Sequence, residues 1–119
     1  MVDRLPRRLL HLEGLAVLAA ALALYFDAGN GWLLLVLLFL APDLSMLGYL
    51  GGPTLGAAVY DVVHTYALPV ALGTVGVLAS ADLATQLALV WVAHIGLDRA
   101  LGYGLKYPTG FKDTHLQRI

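Results

Sequence analysis

A set of ionisable side chains sits where the chain is otherwise apolar: Glu13, Asp43, Asp61, His64, His94, Asp98 and Arg99. Asp61 and His64 are three residues apart and His94 and Asp98 four apart, so on helices each pair shares one face. Imidazole and carboxylate are ligands for zinc, iron or manganese, and with no cysteine in the chain any metal must be held by nitrogen and oxygen. A carboxylate and a histidine three apart, with single carboxylates from neighbouring helices, is the ligand pattern of di-metal helical bundles. Glu13 and Asp43 are placed to be those single carboxylates. The expected centre is therefore one or two divalent ions held by Asp61, His64, His94 and Asp98, with Asp43 as a further ligand or general base. Tyr60 and Tyr66 are candidate donors to a bound oxyanion, and Arg99 pairs with Asp98 or reaches the headgroups.

Each of these residues also has a plainer role. A lone intramembrane histidine usually makes an interhelical hydrogen bond, and Asp43 after Pro42 suits a helix cap. What favours a site is shared depth. At ~1.5 Å per helical residue, Glu13, Asp43, Asp61 and Asp98 come out roughly 6–10 Å from the expected cytoplasmic ends of their helices and His64 and His94 about 15 Å. Each mid-membrane charge costs about 2.5–3.5 kcal/mol, which many apolar neighbours must offset.

The elements that position these groups are membrane spans. Of the 119 residues 60% are hydrophobic and only 13% charged, and mean hydropathy is +0.79, too few polar groups to coat a water-soluble globule. The net charge of −1 and the lack of a basic stripe exclude nucleic-acid binding. Four apolar segments, residues 9–26, 32–50, 55–79 and 83–104, each approach the ~20 residues that cross a bilayer. Turn residues separate them at 27–31, 51–53 and 80–82. Short connections imply antiparallel neighbours, so the expected fold is an all-α, up-down-up-down four-helix bundle over residues 1–104, alone or as a homo-oligomer. Arg4, Arg7 and Arg8 precede the first segment, whereas Lys106, Lys112 and Arg118 follow the last. Positive residues favour the inside, which puts both termini in the cytoplasm of a bacterial inner-membrane protein. A cleaved signal is the rival reading of the N-terminus, but Glu13 and Gly14 interrupt its apolar run.

Pro42 and Pro69 lie inside spans and are expected to kink them, and the small residues Gly56, Ala57, Ala58, Gly73 and Gly76 to allow close helix approach. Residues 105–119 read as a polar tail. Pro108 and Gly110 are expected to turn it back over the cytoplasmic mouth, where Lys112 and His115 would close the polar layer from water or add a ligand or phosphate contact, the rival reading being a disordered, solvated tail.

The runs Ala41-Pro42-Asp43-Leu44-Ser45, His64-Thr65-Tyr66, Ala93-His94-Ile95-Gly96-Leu97-Asp98-Arg99 and Gly102 to His115 resemble an uncharacterised family of short bacterial membrane proteins. The order Pro-Asp, then His, then His-x-x-x-Asp is also similar to membrane-bound metal-dependent hydrolases. That second resemblance implies Asp43, His64, His94 and Asp98 as metal ligands. It departs at Val59 and Tyr60, where the related pattern has another histidine. The function these readings imply is hydrolysis of a lipid-like ester or phosphate. The rival functions are proton or cation transport through the same groups and a purely structural polar layer.

Overall fold

The computed structural model describes residues 5–107 and 114–118. Helices α1 (Leu5–Asp27), α2 (Trp32–Phe39), α3 (Pro53–Val63), α4 (Ala67–Leu78) and α5 (Asp82–Leu101) carry the chain, with a 3-10 helix at Ala41–Gly51 between α2 and α3 and a final short turn, α6 (His115–Arg118). No strand is formed among the described residues beyond one antiparallel bridge, Lys106 to Thr114.

Three stretches are long and apolar enough to cross a membrane: Leu5–Asp27, Trp32–Gly51 and Pro53–Leu78. Their leucines face outward, Leu50 being 88% and Leu78 81% exposed, which is how a protein meets lipid rather than water. Helix α5 is 20 residues long but less apolar, since Gln86, His94, Asp98 and Arg99 lie on it. It packs against α1, α2 and α4, and it is the most buried helix, with Ala88, Val90, Ala93, His94, Ile95, Gly96 and Arg99 all inside.

Small residues make that packing close. A Cβ on Gly96 would lie 2.8 Å from the Leu18 nitrogen and 2.9 Å from the Gly14 carbonyl, and one on Gly14 would lie 2.4 Å from Arg99 Cβ. The α1–α5 crossing therefore depends on this glycine pair, which the composition of the third segment did not point to. Gly73 and Gly76 do the same for α4, where a Cβ would meet Ala88 Cβ at 3.2 Å and Thr85 Oγ1 at 2.6 Å.

The second and third apolar segments are not continuous α-helices. Pro42 falls where α2 gives way to the 3-10 helix, an unusually long run of that form. Pro69 is in the first turn of α4, where its missing N–H is tolerated. A continuous helix would leave the Thr65 carbonyl without a donor and against the proline ring, so the chain breaks at residues 64–66. Helix α5 ends at Leu101, earlier than its apolar run suggests. Gly102 takes φ +95, and the amides of Gly102 and Tyr103 donate to the carbonyls of Arg99 (3.1 Å) and Asp98 (2.7 Å).

Candidate metal centre

The break after α3 opens the last turn of a helix in apolar surroundings, and its carbonyls must find donors. They find them in side chains. The Tyr60 carbonyl accepts from the His64 amide and from His64 Nδ1, both at 2.9 Å. Thr65 Oγ1 donates to Val62 at 3.2 Å, Trp91 Nε1 to Val63 at 2.7 Å, and Arg99 Nη2 to the His64 carbonyl at 3.0 Å. Arg99 Nη1 also donates to the Tyr103 carbonyl at 3.2 Å. Arg99 thus braces the break against the end of α5 rather than forming an ion pair with Asp98.

These bonds orient His64. A carbonyl only accepts, so the Tyr60 bond places a ring proton on Nδ1 and, in the neutral ring, leaves Nε2 as a lone pair facing α5. Ser45 Oγ lies 3.5 Å from the same Nδ1. His64 Nε2 is 3.2 Å from His94 Nε2, 3.2 Å from Asp43 Oδ1 and 3.6 Å from Asp98 Oδ2. His94 Nε2 is 3.1 Å from Asp43 Oδ1 and 3.2 Å from Asp98 Oδ2. One atom from each of Asp43, His64, His94 and Asp98 lies within 4.8 Å of all the others. Both rings are buried, at 1% and 2% exposure, whereas the Asp98 side chain is 14% and the Asp43 side chain 33% exposed. The group is closed on three sides and opens at Asp43.

The group fits a cation. Ligands held ~2.0–2.2 Å from a tetrahedral ion lie about 3.3–3.6 Å from one another, and the five separations above run from 3.1 to 3.6 Å. The buried Asp98 Oδ2 receives no regular hydrogen bond, and the His94 ring is packed edge-on to Phe39 at 5.4 Å. A buried carboxylate oxygen aimed at two imidazole nitrogens without a donor is what a metal ion would satisfy.

Asp61 is not in this group. Its Oδ1 accepts the Lys106 amide at 2.5 Å. Three residues on a helix fall about 60° short of a full turn, so Asp61 faces the returning tail while His64 faces α5. His94 and Asp98, four apart, do meet. Asp43 enters as one of the four converging atoms rather than as a base held apart from them. Glu13 is exposed on α1, and Tyr66 is half-buried at the start of α4. Tyr60 is buried and stacked on His64, with ring centroids 3.7 Å apart and an angle of 10°. Lys112 lies outside the described residues.

The described part of the tail returns to this region. Lys106 pairs with Thr114, and the amides of Leu105 and His115 bond to His115 Nδ1 (2.8 Å) and the Leu105 carbonyl (2.9 Å). Leu116 is fully buried. Lys106 Nζ sits 4.5 Å from the centre of the Tyr60 ring that stacks on His64. Burial pushes the Lys106 ammonium below the usual lysine range, against the pull of Asp61, Asp98 and Asp43. Burial, with Arg99 nearby, holds His115 below its usual value. Ser45, Trp91 and Lys106 are the residues the sequence did not single out for this site. The signal that could have found Trp91 is Pro69, whose break of the helix frees carbonyls that need donors.

The sequence model of a family described as a domain of unknown function (DUF4260) matches residues 7–119, and the chain belongs to that family. No curated protein and no solved structure matches it, so the resemblance to metal-dependent hydrolases gains no support from comparison.

Proposed function

We propose that this DUF4260 member is a membrane-embedded metalloprotein that binds one divalent ion through Asp43, His64, His94 and Asp98 and hydrolyses a lipid-like ester or phosphate. One observation carries the reading: four acceptor atoms converge within 4.8 Å of one another, with an Nδ1 proton of His64 already committed to the Tyr60 carbonyl. With neutral rings the set carries two negative charges from Asp43 and Asp98. A divalent ion neutralises both and satisfies all four atoms at once. Zinc, manganese and iron(II) all accept such nitrogen and oxygen donors.

A bound ion would lower the pKa of a coordinated water toward ~7 and so supply hydroxide. Catalytic sites keep a position open, and Asp43, the most exposed of the four residues, is where substrate would enter. In this reading His64, His94 and Asp98 would hold the ion, and Asp43 would accept the proton that water gives up. Lys106 and the Tyr60 ring close the centre from the tail side. The proposed setting is a four-helix, up-down bundle of residues 1–104 in a bacterial inner membrane, with both termini cytoplasmic and the tail as cover.

The test is metal content and hydrolysis of nitrophenyl esters and phosphates by detergent-purified protein. Wild type should hold one ion per chain and turn over one of these substrates. His64→Ala and His94→Ala should lose the ion, and Asp43→Asn should hold it more weakly and, once saturated with metal, still lack turnover. No ion in wild type would end the reading. An ion without turnover would leave a structural or transporting metal centre, which cation uptake into proteoliposomes separates.

A further inference from the structure

An apolar groove of about 310 Å³ runs beside the centre, lined by Leu38, Ala41, Pro42, Val63, Leu72 and Trp91 among others. Its walls are chain neighbours of the ligands. Pro42 precedes Asp43, Val63 precedes His64, and Trp91 lies one turn before His94. The Trp91 indole is fixed in that wall by its bond to the Val63 carbonyl, 2.7 Å. The groove is at the small end of the ~300–1,000 Å³ range of ligand sites.

Two features say what fills it. Its flanks are lipid-facing, with Leu37, Leu40 and Leu44 all exposed, so hydrocarbon and not water covers it. Pro42, on its edge, is joined in the chain to Asp43, the most exposed of the four converging residues. A hydrocarbon chain in the groove therefore ends where an oxygen-bearing head meets the proposed ion.

We infer that the groove holds one acyl chain of an amphiphile whose anionic oxygen head reaches the metal centre past Asp43. The inference rests on the metal reading above and narrows its substrate to a molecule with an acyl chain seated in the groove and a carboxylate or phosphate head. A second chain would lie outside the groove among the surrounding lipid, and water-soluble esters would gain nothing from it.

Trp91 provides a readout independent of turnover. The chain has two tryptophans, and the other, Trp32, is exposed and replaceable by Trp32→Phe. In detergent micelles, a nitroxide-labelled fatty acid should quench Trp91 fluorescence saturably in the zinc-loaded protein. Chelation should weaken its apparent affinity about tenfold, equivalent to about 1.4 kcal/mol of bonding between head and ion. Leu87 also lines the groove, and the double variant Leu72→Phe/Leu87→Phe adds two rings there without replacing a ligand, so it should reduce quenching while zinc content stays at the wild-type level. Equal quenching with and without bound zinc would overturn the inference, because the chain would then be bulk lipid. So would quenching unaffected by the added rings. If no zinc binds at all, the metal reading fails instead. In that case a fatty acid that quenches better than a headless nitroxide hydrocarbon keeps the groove as an amphiphile site, and equal quenching removes it.

Discussion

Replacing Asp98 by asparagine changes the charge of the centre while keeping its shape, and the outcome can be worked from the geometry. In the proposed centre two carboxylates would balance a divalent ion, with Asp98 Oδ2 3.2 Å from His94 Nε2 and 3.6 Å from His64 Nε2. Asp98→Asn would leave one positive charge uncompensated in apolar surroundings, which costs about 2.5–3.5 kcal/mol on insertion scales. At about 1.4 kcal/mol per decade, metal affinity should fall roughly a hundredfold. Without metal the sign reverses. The variant no longer buries the second carboxylate, and an asparagine N–H can donate to the lone pair on His94, so the metal-free protein should be the more stable of the two. Thermal unfolding in detergent reads both effects. At a metal concentration ~100 times the wild-type Kd, the ion should stabilise wild type by about 2.7 kcal/mol and the variant by about 0.4 kcal/mol. Asp61→Asn is the control, because it removes the same charge but retains an oxygen for the Lys106 amide. If Asp61→Asn weakened metal binding as much as Asp98→Asn, or if Asp98→Asn bound metal as tightly as wild type, the four-ligand assignment would be wrong.

Other outcomes follow from the packing and from the tail. Gly96→Ala places a methyl group 2.8–2.9 Å from α1 backbone atoms, so unfolding in detergent should show a loss of about 1–3 kcal/mol. Reporter fusions after Ile119 and within the 27–31 turn should report opposite sides of the membrane, and the same side for both would refute the proposed topology. His115 accepts the Leu105 amide through Nδ1 and binds protons less readily than a free histidine. Tail docking should therefore be complete above pH ~6.5 and weaken as pH falls from there through the lower folded-state pKa, by at most about 1.4 kcal/mol per unit. Hydrogen exchange of the Leu105 and Lys106 amides, corrected for intrinsic rates, checks this. His115→Asn, which keeps an acceptor that does not titrate, should remove the pH dependence.

Much of the centre was legible because charge is expensive in an apolar chain. Asp43, His64, His94 and Asp98 stood out against their neighbours, and matching depths suggested that they meet. The error concerned which aspartates converge. Pair spacing identified His94 with Asp98, where four residues bring side chains nearly into line, but it overrated Asp61 with His64, where three leave a larger angle. The tail then supplied Asp61 with a different partner, the Lys106 amide. Turn chemistry marked the ends of the elements well at 27–31, 51–53 and 80–82. It could not reveal the Gly14–Gly96 crossing, since two glycines 82 positions apart share no local pattern.

The break at residues 64–66 explains why polar side chains cluster here beyond the four converging atoms. Turning His64 toward α5 requires the helix to stop, and a stop in apolar surroundings exposes carbonyls that each cost several kcal/mol if left bare. Trp91 and Arg99, both from α5, and Thr65 and His64 itself cover the Tyr60, Val62, Val63 and His64 carbonyls. Helix α5 therefore supplies two of the four converging atoms and two of the donors that make the break tolerable. The ligand geometry and the repair of the backbone are thus one arrangement. A substitution such as Arg99→Met should loosen His64 without touching any of the converging atoms, and its cost would appear in metal affinity as well as in stability.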